Sequence, residues 1–301
     1  MAQTYEMNLV KLIEKFRSEE KCRAYLETLR WPDGPVCPRC GCCEGISQIH
    51  DRGQFDCDSC RYQFSVTAGT MMHDTKLPLW KWFLAVYMIV ESKKGISANQ
   101  LKRTLNVAYR TAWYLCHRIR KALETPDGLL KGIIEIDGTY IGGEVHGKGT
   151  RYTENKKLVI GAVQRDGKIQ LKATDPEDDS ESTRTVGKFV RANIAKGAMV
   201  YTDGAAAYKT VLKDRNRHER VDHAKDEWVR GDVHTNSVEG VWSLFNRSII
   251  GAFHQVSIKH LPAYLDEFEF RFNNRDNPYI FRDAMKELLT AGNVEYKDLV
   301  A

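Results

Sequence analysis

Two Cys-x2-Cys pairs, Cys37 with Cys40 and Cys57 with Cys60, lie sixteen residues apart. Each pair presents two thiolates from one tight turn, and two such turns facing each other complete a tetrahedron around one zinc ion. Four thiolates leave no open coordination position, so the expected role of this zinc is structural. The surrounding segment, 35–66, is too small and polar to build a core of its own, and the metal is expected to hold it together. Disulfides are the alternative, and a cytoplasmic chain argues against them. Cys42 and Cys43 follow the first pair as surplus thiols, while Cys22 and Cys116 lie on apolar helical faces and read as core.

The rest of the chain is that of a globular protein: 42% of its 301 residues are hydrophobic. No apolar run approaches the ~18 residues of a membrane span. The first sixteen residues read as an amphipathic helix, with Leu9, Leu12, Ile13 and Phe16 spaced for one face, and not as a signal peptide. The expectation is a cytoplasmic, nucleoid-associated protein with no membrane partner. Composition divides the chain into a helical segment 1–34, the cysteine-rich segment 35–66, a helical module 78–124 and a strand-and-helix region 131–290, with linkers at 67–77 and 124–130 and an acidic stretch, 174–182, that reads as a surface loop.

The net charge of +5 is unevenly placed: between residues 93 and 123 there are eight basic residues and no acidic one. A short helix from Ser97 to Leu105, a turn at Asn106-Val107 and a basic helix from Ala108 to Leu123 describe a helix-turn-helix. Lys102, Arg103, Tyr109, Arg110, Thr111, Arg118 and Arg120 are the residues expected to meet double-stranded DNA. Trp113 and Tyr114 read equally well as packing residues, and a plain three-helix packing unit is the alternative to the whole motif.

The strand-and-helix region carries a set of acids. Asp137 ends the apolar strand 133–137 and Asp203 ends the strand 198–203. Glu239 lies on a helix opened by His234-Thr235-Asn236. The order strand, strand, strand, helix, strand, helix predicts an α/β, RNase H-like domain with a mixed sheet. In that arrangement three carboxylates converge and repel one another unless cations lie between them. Two Mg²⁺ or Mn²⁺ ions meet that need and support in-line phosphoryl displacement. Taken singly, Asp137 and Asp203 also read as Asp-Gly turn residues, and Glu239 as the end of a capping box begun by Asn236.

Together, CPRCG, IDGTYIGG, VYTDGAAAY, HTNSVEGVWSLFNR and EFEFRFNNR resemble the IS1595 family of bacterial transposases, the ISXO2-like group, over about 35–290. The resemblance implies a DDE-type enzyme that binds terminal inverted repeats, works through Mg²⁺, and cuts and joins DNA as a homodimer or larger assembly. By position, Asp137 and Asp203 match the first two acids. Glu239 is the expected third, with Asn236 as helper or substitute. The sequence departs from the pattern twice: Gly138 stands where an acidic residue often follows the first aspartate, and the stretch Leu244 to Arg247 lacks the usual lysine. Arg247 is the expected substitute for a phosphate contact, and Arg271 and Arg275 are expected to reach phosphate from a late helix. His234 and His254 are candidates for DNA or metal contacts. A domesticated DNA-binding protein that no longer cuts, and an RNase H-type nuclease that does not join, remain open.

Overall fold

The computed structural model describes residues 7–124, 128–142, 156–175, 177, 180–222 and 225–300. Gly143, the first six residues and parts of the expected loops at 124–130 and 174–182 lie outside them. The chain forms two units, Met1–Thr125 with Asn274–Ala301, and Pro126–Asn273.

The first unit opens with α1 (Leu9–Lys15) and α2 (Glu19–Arg30). The helix breaks where Ser18 caps α2, its hydroxyl accepting from the Lys21 N–H. Of the expected apolar face, Leu12 and Phe16 are buried, while Leu9 and Ile13 are exposed. Strands β1 (Ile46–Ile49), β2 (Gln54–Cys57) and β3 (Gln63–Phe64) form a small antiparallel sheet. Phe55 and Phe64 fill it and Trp31 packs edge-on against both rings. Three helices follow, α3 (Leu79–Val90), α4 (Ala98–Leu105) and α5 (Tyr109–Ala122). Ser97 caps α4, and Asn106 closes it in the left-handed conformation at φ 49°, which asparagine tolerates better than most side chains.

The second unit holds a five-stranded sheet of order β6-β5-β4-β7-β8. Its strands are β4 (Ile133–Gly142), β5 (Lys156–Gln164), β6 (Ile169–Ala173), β7 (Met199–Thr202) and β8 (Arg217–Arg220). Pairing is antiparallel among β4, β5 and β6, and parallel from β4 to β7 and β7 to β8. This is the RNase H-like mixed sheet. The β5–β6 hairpin turns at Asp166, whose φ is 55°. On one face, α6 (Thr183–Asn193) and α7 (Ala206–Leu212) bury Val186, Val190, Tyr208 and Leu212 against Ile134, Ile136 and Ile160. On the other, α8 (Asn236–Ser248) and α9 (Leu261–Asn273) bury Val241, Phe245, Leu265 and Phe268 against Val159, Val163 and Leu171. The sequence reading lacked α7 and β8. The edge strand Arg217–Arg220 is charged and mostly exposed, so it carries no apolar alternation.

Two last helices, α10 (Ile280–Thr290) and α11 (Tyr296–Val300), belong to the first unit. Phe281 of α10 packs with Phe16 and Phe83, and the Leu288 carbonyl accepts from the Met71 N–H. The sheet-bearing unit thus closes at Asn273, short of the expected boundary at 290.

Candidate active site

The parallel pairing of β4 with β7 sets Ile136 beside Thr202. The next residue on each strand is an aspartate, so Asp137 and Asp203 leave neighbouring strands at one level. Asp137 is held from the opposite side by Trp242, whose indole N–H donates to its Oδ2 at 3.0 Å. The strand partner of Asp137 is Gly161. A Cβ there would lie 2.5 Å from the Trp242 ring, so glycine is what lets the indole lie on β5 and reach the carboxylate. Burial, then the charges of Asp203 and Glu181, push the Asp137 carboxyl up to about 7 against the opposing hydrogen bond from Trp242.

Glu181 was not found from sequence, where it ended an acidic stretch read as a surface loop. It precedes Ser182, the N-cap of α6, and its carboxylate accepts from the buried Tyr208 hydroxyl. Gly138 makes room for it: a Cβ at 138 would come within 2.5 Å of Glu181 Oε1. The side-chain space vacated at 138 is therefore occupied by an acid from elsewhere in the chain. No short-range pattern in sequence carries that signal.

Glu239 and Asn236 occupy the first turn of α8 and both are exposed. Thr235, not Asn236, is the N-cap, and its hydroxyl donates to Glu239 Oε1 at 2.8 Å. Among the described residues, no three carboxylates bring ligand oxygens within 4.8 Å of one another; the four cysteines alone form such a group.

A second residue missed in sequence fixes α8. Glu135, fully buried on β4, accepts from the backbone N–H of Ser237 at 2.7 Å and of Val238 at 3.2 Å. Its other oxygen accepts from the Ser237 hydroxyl at 2.9 Å and from Arg165 Nε at 2.8 Å. A carboxylate at a helix N-terminus satisfies amides that have no partner within the helix and opposes the positive end of its dipole. His234, a candidate DNA or metal contact, belongs here: Nε2 accepts from Arg165 at 3.0 Å, which leaves Nδ1–H to face Glu135 Oε1 at 3.3 Å.

Beside the small antiparallel sheet, Cys37, Cys40, Cys57 and Cys60 bring their sulfurs within 4.8 Å of one another. Cys37 to Cys60 is 3.6 Å and Cys40 to Cys57 is 3.7 Å. Sulfurs about 2.3 Å from a common tetrahedral zinc would be about 3.8 Å apart, so the four thiolates fit one structural ion. Cys42 stands outside the set, with its sulfur accepting from Ser59.

Residues 17–63 match the family described as a transposase zinc-ribbon domain, and residues 129–273 match the ISXO2-like transposase domain. An uncharacterized protein in transposable element ISH50 of Halobacterium salinarum is 30% identical over 297 residues, 92% of this chain and 96% of that protein. The chain belongs to the ISXO2-like transposase family. Solved structures with a distant likeness include the Mos1 strand transfer complex, 11% identical with a TM-score of 0.30 over 69% of this chain and 74% of that one. A simian T-cell lymphotropic virus intasome chain is 12% identical with a TM-score of 0.29. The match covers 63% of this chain and 65% of the intasome chain.

The residues expected at DNA separate into two groups. Lys102, Arg103, Tyr109, Arg110 and Thr111 are exposed on α4 and the head of α5, and Arg247 is exposed on α8. Arg118, Arg120 and Arg271, expected at DNA, are instead buried. Arg118 donates to the His73 carbonyl and to Asn293 Oδ1, and Arg271 pairs with Glu267 at 3.1 Å. The back half of α5 packs all round, which turns its later arginines inward. Arg275 remains partly exposed beside Asp276. His254 is exposed at φ 61°, after a π-helical turn at Ile249–Phe253. No helix among the described residues is long and apolar enough to cross a membrane.

Proposed function

We propose that this transposase binds the inverted-repeat ends of its element and carries out divalent-metal-dependent strand cleavage and strand transfer. The observation that carries the reading is the placement of Asp137 and Asp203 at one level on neighbouring parallel strands, beneath a helix that bears Glu239 and Asn236. The donor set is made of hard oxygens, and burial, with the charges of Asp203 and Glu181, holds the Asp137 proton; both features suit Mg²⁺ or Mn²⁺. Asp137, Asp203 and Glu239 are the residues that would hold two such ions, with Asn236 as helper. When bound, the ions supply neutralisation of phosphate charge and activation of the attacking oxygen.

The chain's own residues do the positioning. Trp242 fixes one oxygen of Asp137. Glu135 holds the head of α8, and with it Glu239, against β4. Thr235 ties down one Glu239 oxygen. Exposed Lys102, Arg103, Tyr109, Arg110 and Thr111 form the surface for duplex DNA, and exposed Arg247 and Arg275 are the further candidates for phosphate contact. Two element ends are joined in one event, which calls for a homodimer or larger assembly on DNA.

The test is a labelled duplex carrying the element's end, incubated with Mg²⁺. Asp137→Ala and Asp203→Ala should each abolish nicking while end binding in a gel-shift assay stays intact. Full nicking by either variant overturns the proposal. End binding by the unaltered chain with no metal-dependent nicking would favour a DNA-binding protein that does not cut.

A further inference from the structure

The segment that follows α10 returns to α5 and covers part of it. The Tyr114 hydroxyl donates to the Val294 carbonyl at 2.6 Å, and Arg118 reaches Asn293 Oδ1 at 2.9 Å. The Tyr296 ring then packs edge-on against Tyr114 and Trp113, with centroids 5.6 Å and 6.1 Å away. Above that ring, 4.0 Å from its centroid, lies the guanidinium carbon of Arg110. Arg110 is exposed in the first turn of α5, and Tyr296 is half-buried. All of these residues belong to one unit.

We propose that Tyr296 is a positioning residue of the DNA-reading surface, holding Arg110 in the orientation in which it contacts duplex DNA. An unsupported arginine at a helix head samples many rotamers, and ordering it on binding costs conformational entropy. A guanidinium lying on an aromatic face is held by the ring quadrupole, and its five N–H donors stay in its own plane, directed away from the ring. That geometry suits a two-pronged contact with a guanine edge or a phosphate. The aromatic base formed by Trp113, Tyr114 and Tyr296 gives those tyrosine and tryptophan rings a role that packing alone does not require. This inference rests on the reading of α4 and α5 as the DNA-binding module.

The test is equilibrium binding of the full zinc-loaded chain to a fluorescent duplex carrying the element's end, against a scrambled duplex of equal length. Arg110→Ala should weaken end binding by about tenfold or more, in line with one lost bidentate contact. Tyr296→Ala and Tyr296→Leu should each weaken it by about two- to fivefold, as expected for a cation–π contact. Tyr296→Phe should bind as the unaltered chain does. The double variant Arg110→Ala with Tyr296→Ala should be no weaker than Arg110→Ala alone. Zinc content and thermal melting confirm that each variant is folded, and Tyr296→Leu keeps apolar cover without a ring.

Normal end binding by Tyr296→Leu, or losses that add in the double variant, would overturn the proposal and leave the DNA-binding module in place. Tighter binding by Tyr296→Ala would overturn it in favour of a segment that masks the helix. Normal end binding by Arg110→Ala would overturn both the proposal and the assignment of α5.

Discussion

Glu135 Oε2 lies 2.7 Å from the backbone nitrogen of Ser237 and accepts its hydrogen, joining the first part of the central strand to the first turn of α8. Two residues further along β4, Asp137 meets Trp242, five residues further along α8. Two strand residues advance about 6.6 Å and five helix residues about 7.5 Å. The two contacts therefore fix α8 along β4 at both ends of one and a half turns, and Glu239 lies between them.

Removing Glu135 should cost more than a single hydrogen bond. Glu135→Ala leaves Arg165 and the head of α8 without their partner, and breaking a buried ion pair on one side costs about 3–5 kcal/mol. Urea unfolding of the full chain should show the loss. Even at concentrations of urea where the variant is folded, its nicking rate should fall about tenfold or more, because small displacements of a catalytic group are expensive. An unchanged nicking rate would mean that α8 does not depend on this contact.

Trp242→Phe keeps the ring in the core and deletes the donor to Asp137. The lost hydrogen bond is worth about 0.5–1.5 kcal/mol while Asp137 keeps its proton and about 1.5–3 kcal/mol once it is ionised. Nicking should slow while end binding is unchanged. Gly161→Ala should disturb the same pair from the strand side, since its Cβ would lie 2.5 Å from the indole. Overpacking of this kind costs about 1–3 kcal/mol, read as a lower melting temperature.

The raised Asp137 carboxyl predicts a pH dependence of stability. With its pKa at about 7 in the folded protein and 3.8 ordinarily, the native state keeps a proton that the unfolded chain has lost. Between those values the unfolded state binds fewer protons, so this group's contribution to stability falls as pH rises. It is most favourable below about 4 and is fully lost above about 7. The difference in melting temperature between the metal-free chain and Asp137→Asn should follow that slope. A flat difference across pH 4–8 would contradict it. Added Mg²⁺ competes with the proton, so its stabilisation should be larger at pH 8 than at pH 5.

Zinc should be present at one per chain and removable by a strong chelator. Its loss should open the small sheet around Phe55 and Phe64, seen as a change in fluorescence near Trp31, which packs on both rings. Structural zinc contributes about 10–16 kcal/mol in small domains, so Cys57→Ser should mimic the chelator. An unaltered spectrum after metal removal would show that the ribbon folds without it.

The basic residues of α4 and α5 should divide by burial. Lys102→Ala and Arg103→Ala change exposed groups and should weaken DNA binding with little effect on melting. Arg118→Ala should lower the melting temperature instead, because its guanidinium bonds two neighbouring segments. Equal effects of all three on DNA affinity, with no change in melting, would reverse that division.

The sequence by itself determined what local chemistry dictates. Thiolate spacing specified the zinc ribbon; one serine cap, Ser97, and a turn asparagine, Asn106, marked the ends of α4 in the basic module. Short apolar runs ending in Asp137 and Asp203 marked the strands that lead to them. Tertiary structure alone decided what depends on pairing between distant segments. Glu181 comes near enough to Asp137 to raise its carboxyl from the side that Gly138 leaves open, and Trp242 reaches Asp137 across Gly161, where a Cβ would meet the indole. Glu135 reads in sequence as one polar residue in an apolar strand, and its partners lie 102 and 103 residues away. Arg118 and Arg120 have the composition of a DNA contact, yet the packing of α5 on all sides turned them inward. A local pattern sets which face of an element is apolar; which neighbour that face meets, and so which charges are paired and which stay free for DNA, is set by contacts between segments far apart in the chain.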